Sequence, residues 1–398
     1  MTPTFTAAQV AAFRLARQHL AADRAGRAAT VPAPPPPTAS RHGARTAGEA
    51  LAGVVRDVAG MQAQVMSAAE MSIWTRRRST TRDEIQAALW QTRDLVRTSA
   101  MRLTLHVVPS RDLAVYIAAL KPMAAATLQR WHARSGASPG QVEAMVATIV
   151  ESLRDDEPET QRALIARAKK RAGRGVRAWL DHAWSAVRPA VIEGAILYGP
   201  PRGAEATFVR TDAWLGAQPR LTVEDARRQL FRRFLSAFGP ATPQDFAKWS
   251  GLKASEARAI LAELAGDVIE VAVGDERGWM LRSDRAALAA SRFDAETVRL
   301  LPAFDSLLLA HATKEHLVEP RSYKRVYRPQ GWISPTVLQG GRIVGVWFQK
   351  AAGRATFLDV EIFGRATPAL RDAIAAEADA LGQFLGVRCT PRFKARGG

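Results

Sequence analysis

The sequence predicts an α+β protein made of three tandem winged-helix units followed by a small C-terminal β-barrel. Three observations carry that expectation. Helices followed by a short β-hairpin recur three times along the 398 residues. One repeat holds the text TPQDFAKWSG, which leads through Gly251 into KASEARAILAELAG. That order of short helix, turn and longer helix is the helix-turn-helix arrangement. After residue 295 the texture shifts to β-like segments punctuated by glycine and proline. The units are expected at 1–135, 136–218 and 219–294, with the barrel at 295–398.

The first unit opens with an amphipathic helix over 6–24, whose apolar positions include Val10, Phe13, Leu15 and Leu20. VPAPPPPTASRHGARTAG, at 31–48, is a proline-rich surface insertion, because proline continues neither helix nor sheet. Helices are expected at 49–57, 62–77 and 81–92. The last has a cap region at Thr80–Glu84 and carries Ile85, Leu89 and Trp90. MRLTLHVVP, at 101–109, alternates as a strand and belongs to a wing that cannot form a core alone.

In the second unit, helices at 140–153 and 160–171 and a third ending near Glu193 precede a hairpin in AILYGPPRGAEATFV, 195–209. The third has helix 223–238, the helix-turn-helix text and a hairpin at 267–281 turning at Gly274-Asp275. Trp249 and Leu252 read as core residues rather than base readers. LLPAFDSLLLAH, GWISPTVLQ, GRIVGVWFQK and ATFLDVEIF suggest a barrel or curled sheet over 298–365. A closing helix at 367–384 and a basic tail follow.

Charge says what such a scaffold binds. Lys and Arg number 56 against 38 Asp and Glu, a net charge of +18. That excess favours polyanions, with nucleic acid ahead of an anionic membrane surface. The 47% hydrophobic fraction excludes global disorder. Cys389 is the one cysteine, which excludes an internal disulfide and a thiolate cluster and fits a reducing, cytoplasmic setting. No signal peptide and no membrane span are expected. Neither an HExxH text nor a zinc-finger, GxxxxGK or GxSxG motif occurs. The expectation is therefore no metal and no cofactor.

The most unusual polar text is GMQAQ at 60–64. Inside a helix, Gln62 and Gln64 would point about 200° apart. They share a site only at a helix start or in a non-helical turn. There, two amides can orient a water, pair with a base edge, or serve as ordinary surface or capping groups. Glutamine is not a general base, so any catalytic use is positional and electrostatic. Candidate phosphate contacts are Arg76, Arg77 and Arg78, then Lys169 and Lys170, with Arg232-Arg233 as a further basic pair. In RSYKRVYR, Arg321, Lys324, Arg325 and Arg328 are interleaved with Tyr323 and Tyr327, which suits a nucleic-acid strand.

With these segments on the page, the chain resembles bacterial tandem winged-helix DNA glycosylases of the AlkZ/YcaQ type, which unhook interstrand crosslinks. The matching text is FRLARQHL at 13–20, GMQAQ at 60–64 and MRLTLHVVPSRDL at 101–113, then YGPPRGAEATFV at 198–209, LLPAFDSLLLAH at 300–311 and GWISPTVLQGGRIVGVW at 331–347. The resemblance implies three winged helices in a curved arrangement, a C-terminal β-barrel, and a monomer acting on alkylated or crosslinked duplex DNA. It implies that Gln62 and Gln64, flanking Ala63, are the catalytic pair for hydrolysis of the N-glycosidic bond of N7-alkylguanine. A hairpin near the lesion is also implied, and MRLTLHVV at 101–108 is the candidate, with Arg102 and His106 as its DNA contacts. The family text reads MRGT where this chain has Met101-Arg102-Leu103-Thr104, and a leucine in place of a flexible glycine is expected to alter the turn. The alternative to an enzyme is a DNA-binding regulator without catalysis, and an RNA-binding protein stands third.

Overall fold

The computed structural model describes residues 2–21 and 46–394, apart from positions 156, 182, 293–294, 296 and 353–354. The proline-rich loop, up to position 45, lies outside the described residues, as does the expected end of the first helix at 22–24.

A short strand β1 (Thr4–Phe5) leads into α1 (Ala7–Arg17). The Thr6 hydroxyl accepts from the Gln9 N–H while the Gln9 side chain accepts from the Thr6 N–H, which satisfies two orphan donors of the first turn. The same device starts α2 (Ala47–Asp57) with Thr46 and Glu49, and α4 (Arg82–Trp90) with Thr81 and Glu84. Between them lie β2 (Met61–Gln62) and α3 (Met66–Arg76). The hairpin β3 (Leu95–Ser99) and β4 (Leu105–Pro109) follows. Its second strand is the one expected from the sequence. Then α5 (Leu113–Ser135), which the sequence reading did not mark, runs through Pro122.

The next set is α6 (Pro139–Ser152), β5 (Glu159–Thr160), α7 (Gln161–Arg171), α8 (Arg174–Arg177) and α9 (Ala183–Ile192). The hairpin β6 (Ile196–Arg202) and β7 (Glu205–Arg210) and the short α10 (Thr211–Leu215) complete it. A further set has α11 (Val223–Phe238), α12 (Pro243–Ser250), α13 (Ala254–Glu263) and the hairpin β8 (Val268–Val273) with β9 (Glu276–Leu281), then α14 (Arg285–Ala290). The C-terminal part holds β10 (Val298–Leu301), α15 (Ser306–Leu309), α16 (Tyr323–Val326), β11 (Thr336–Gln339), β12 (Arg342–Ala352), β13 (Ala355–Ile362), α17 (Pro368–Leu385) and β14 (Arg388–Phe393).

The hairpins are not independent wings. The first two merge in a six-stranded sheet of order β2-β4-β3-β6-β7-β5, joined where Arg97 pairs with Tyr198. In the third, β1 adds to β8 in parallel. Phe5, Val10 and Phe13 accordingly pack with Val271, Met280 and Leu288. The largest core binds α5 to α11 and α12 around Phe231, Phe234, Phe238, Phe246 and Trp249. Trp249 and Leu252 are buried there, as their apolar character predicted.

The expected C-terminal barrel is corrected to an open half-barrel of order β10-β11-β12-β13-β14. Helix α17 packs on both edge strands. Its Leu370, Ile374, Ala378 and Leu381 meet Val298, Leu300, Leu358 and Cys389. A helix thus covers the sheet and touches both edges, which do not pair with each other.

Candidate active site

Helix α2 ends at Asp57, and Gly60 at φ +91° reverses the chain. A Cβ there would come within 3.2 Å of Val108 and 3.3 Å of Met101, so glycine permits both the turn and the close approach. The chain then pairs with β4, Met61 opposite Val107 and Gln62 opposite His106. The Ala63 N–H donates to the Leu105 carbonyl at 2.7 Å, and Arg97 Nη2 donates to the Ala63 carbonyl at 3.0 Å. Residues 62–65, expected as the first turn of a helix, are not helical: Gln62 ends β2, Gln64 and Val65 form a bend, and α3 starts only at Met66.

That difference decides the geometry of the pair. Met61 and Ala63 are buried in the core, while Gln62 is half-buried and Gln64 exposed, and both amides reach the same turn, 102–105. Gln62 Oε1 accepts from Arg102 Nη2 at 2.9 Å. Arg102 Nη1 donates to the Trp249 carbonyl at the end of α12. Gln64 Oε1 accepts from the Leu105 N–H at a long 3.5 Å.

Arg102 and Leu103 both sit in the left-handed region, at φ +56° and +55°. Leu103 thus holds a turn that glycine would form without strain, at a cost of roughly 1–2 kcal/mol. Its side chain packs beside Ala124, Leu128 and Ile192, which offsets part of that cost. Gly251, at φ +92°, caps α12 and lets the Arg102 turn come close. A Cβ there would stand 3.1 Å from Arg102 Cα.

Burial lowers the Arg102 guanidinium to about 10. His106 is buried, and its Nδ1–H donates to the Thr104 carbonyl at 2.9 Å. Burial and the nearby Arg102 charge push this imidazole down to about 3, so it is neutral at physiological pH.

The structure thus brings Gln62, Gln64 and Arg102 together, buries the expected DNA contact His106 beside them, and disperses the other expected contacts. Arg76 is no phosphate contact. Its side chain and that of Asp305 are both 0% exposed and paired at 2.8 Å. Arg77 donates to Thr80 Oγ1 at 3.1 Å. Arg78 lies over Trp74 and pairs with Glu377 at 2.5 Å. On α7, Lys169 pairs with Asp181 and Lys170 is exposed. Near α16, Arg321 pairs with Glu319 at 2.7 Å and Arg325 with Glu361. Lys324 and Arg328 are exposed beside the stacked Tyr323 and Tyr327. Among the described residues no group of three His, Cys, Asp or Glu side chains converges to hold a metal ion, and no helix is long and apolar enough to cross a membrane. Sequence reasoning missed the Arg102 bridge, because the Trp249 carbonyl that anchors it lies 147 residues away.

The chain is similar to known proteins along most of its length. The family model described as DNA glycosylase AlkZ-like matches residues 55–384. The interstrand DNA cross-link repair glycosylase of Streptomyces sahachiroi is 30% identical over 303 residues, covering 74% of this chain and 81% of that protein. The solved structure of Streptomyces sahachiroi DNA glycosylase AlkZ superposes with a TM-score of 0.81 at 26% identity, covering 98% of this chain and 100% of that one.

Proposed function

We propose, from the premise that the chain belongs to the AlkZ-like DNA glycosylase family, that it is a monofunctional DNA glycosylase for N7-alkylated guanine in duplex DNA, crosslinked guanine included. The helix sets ending in hairpins act as three winged-helix units around the duplex. The observation that carries the reading is the non-helical segment 62–64, in which both glutamine amides bond the turn at 102–105, Gln62 through Arg102 and Gln64 through the Leu105 N–H.

The chemistry suits two amides. Alkylation at N7 puts a positive charge on the base, so the C1′–N9 bond breaks with the base leaving neutral. The sugar is left cationic. Water adds its oxygen to C1′ and releases a proton to solvent. A leaving group this good needs no carboxylate base. An amide oxygen has two lone pairs, and Arg102 occupies one on Gln62. The other can face the sugar or hold the water, with Gln64 beside it, as preorganised dipoles. Exposed Lys170, Lys324 and Arg328 supply phosphate contacts, and the exposed Tyr323 and Trp332 rings add a stacking surface near two of them.

Incubation with a duplex carrying N7-methylguanine tests the reading. Free base and an abasic site, scored by alkaline strand cleavage, are expected. Tight binding without base release would replace it with a regulator. The pH profile is a second expectation. Neither glutamine titrates, and His106 is already neutral. Single-turnover base release at saturating DNA is therefore flat between about pH 6 and 8. An inflection near the ordinary histidine value would assign the chemistry to an imidazole instead.

A further inference from the structure

Lys314 follows α15 and is only 8% exposed. Among the described residues its amine has no hydrogen-bond or ion-pair partner. Its Nζ stands 5.5 Å from the centroid of the Tyr327 ring. A buried cation without a counter-charge is unfavourable for the folded protein alone.

Its surroundings add positive charge. The Ala312 N–H donates to Asp245 Oδ1 at 2.7 Å, which pins the Lys314 segment to α12. One turn along α12 from Asp245 is Lys248, exposed and unpaired among the described residues. The next residue, Trp249, gives its carbonyl to Arg102. Three cations from three separate elements therefore lie along the short α12, Lys314 on the segment bound to its first turn and Arg102 on the carbonyl in its last, and Arg102 also holds Gln62. Asp245 is the nearby acid, and its carboxylate is already engaged by the Thr242 and Ala312 N–H groups.

We infer that Lys314, with Lys248 and Arg102, forms a phosphate-binding site for the DNA backbone next to the nucleotide facing the glutamine pair. The inference rests on the glycosylase reading for its placement beside the lesion, and on the lysine cluster alone for binding a phosphate. A backbone phosphate supplies the directly paired counter-charge that Lys314 lacks, Asp245 acting on it without an ion-pair contact. It also anchors the sugar against Gln62 through Arg102, which touches both.

Titration of Lys314 supports the geometry. Burial pushes its amine down to about 7, with Asp245 opposing and Lys248 and Arg102 reinforcing the fall. The other groups facing it are the Tyr327 ring and the imidazoles of His311 and His316, both held neutral by burial. Phosphate binding raises the amine back toward its ordinary value, so the complex takes up a proton. Affinity is then full below pH 7 and falls as pH rises above about 7.

The test is equilibrium binding of the full chain to a 20–30 base-pair duplex (a length of about this order covers the footprint), undamaged or carrying a tetrahydrofuran abasic analogue. Lys314→Met is expected to weaken both duplexes by about tenfold. It should lower the slope of log affinity against log salt by about one, abolish the fall in affinity above neutral pH, and leave the melting temperature equal or higher. Lys248→Met, at an exposed position, should lower the salt slope in the same way without bearing on folding. Unchanged slopes in both variants would overturn the site, as would a lowered melting temperature that accounts for the lost affinity. None of these readouts uses base release, so a failed glycosylase assay leaves the phosphate site separately judged.

Discussion

Gln62→Ala is expected to slow base release by about 10²–10³-fold, the usual effect of deleting one preorganised dipole at a developing charge. Duplex affinity should barely change, because the residue is uncharged and contributes nothing to counterion release. Gln64→Ala should act in the same direction. Arg102→Met removes the tether at 2.9 Å while leaving both amides in place. Its expected loss is roughly 10²-fold, since misplacement by about an ångström costs that much. Unlike the glutamine variants, it should also reduce the salt dependence of binding. Single-turnover base release from an N7-methylguanine duplex, beside anisotropy titrations, separates the two behaviours. Wild-type release by Gln62→Ala would remove the amide pair from the mechanism.

Arg76→Met is expected to destabilise the fold by about 3–5 kcal/mol, the range for stranding one partner of a buried ion pair. Arg76 grips Asp305 in a bidentate pair at 2.8 and 2.9 Å and also donates to Gln18 Oε1 at 3.0 Å. One guanidinium thus ties α3 to the chain beyond α1 and to the cap of α15. Burial alone would raise the Asp305 carboxyl. Arg76, the Leu307 N–H and the Ser72 hydroxyl more than reverse that, leaving it below its ordinary value. A carboxyl lowered by folding adds stability that is present above its unfolded pKa and lost as pH falls through the folded one. Denaturant melts should therefore show the difference between wild type and Arg76→Met narrowing as the pH drops below about 4. The double change Arg76→Met with Asp305→Leu should recover most of the loss, because no buried charge is then left alone. A single variant as stable as wild type would show that the pair contributes no more than the apolar contact replacing it.

Local signals carried far in the sequence. The cap region at Thr80–Glu84, the apolar positions Val10, Phe13 and Leu15, and the text of residues 223–238 mark helices that the structure contains. What failed depended on distant partners. Residues 62–65 look like a helix start, and pairing of Met61 and Gln62 with β4 delays the helix to Met66. Arg76 sits in a run of three arginines, and no local text distinguishes the one that finds a buried carboxylate 229 residues away. The half-barrel looked closable because strand-like text does not say that α17 covers the sheet and touches both edges. The glutamines themselves were legible as an oddity. Their meeting at the turn 102–105 was not, because it follows from long-range hydrogen bonding rather than from spacing.

The sheet that joins the first two hairpins has a kinetic consequence. Strands β3 and β6 meet through the pairing of Arg97 with Tyr198, and Arg97 also holds the Ala63 carbonyl. Opening either hairpin breaks hydrogen bonds that the other shares. In native-state hydrogen exchange, the protected amides of β4 and β7 should therefore open as one cooperative unit. Those of β8, clamped by β1, can open on their own. The glutamine segment inherits the protection of the larger unit, so local breathing of a single hairpin does not release it.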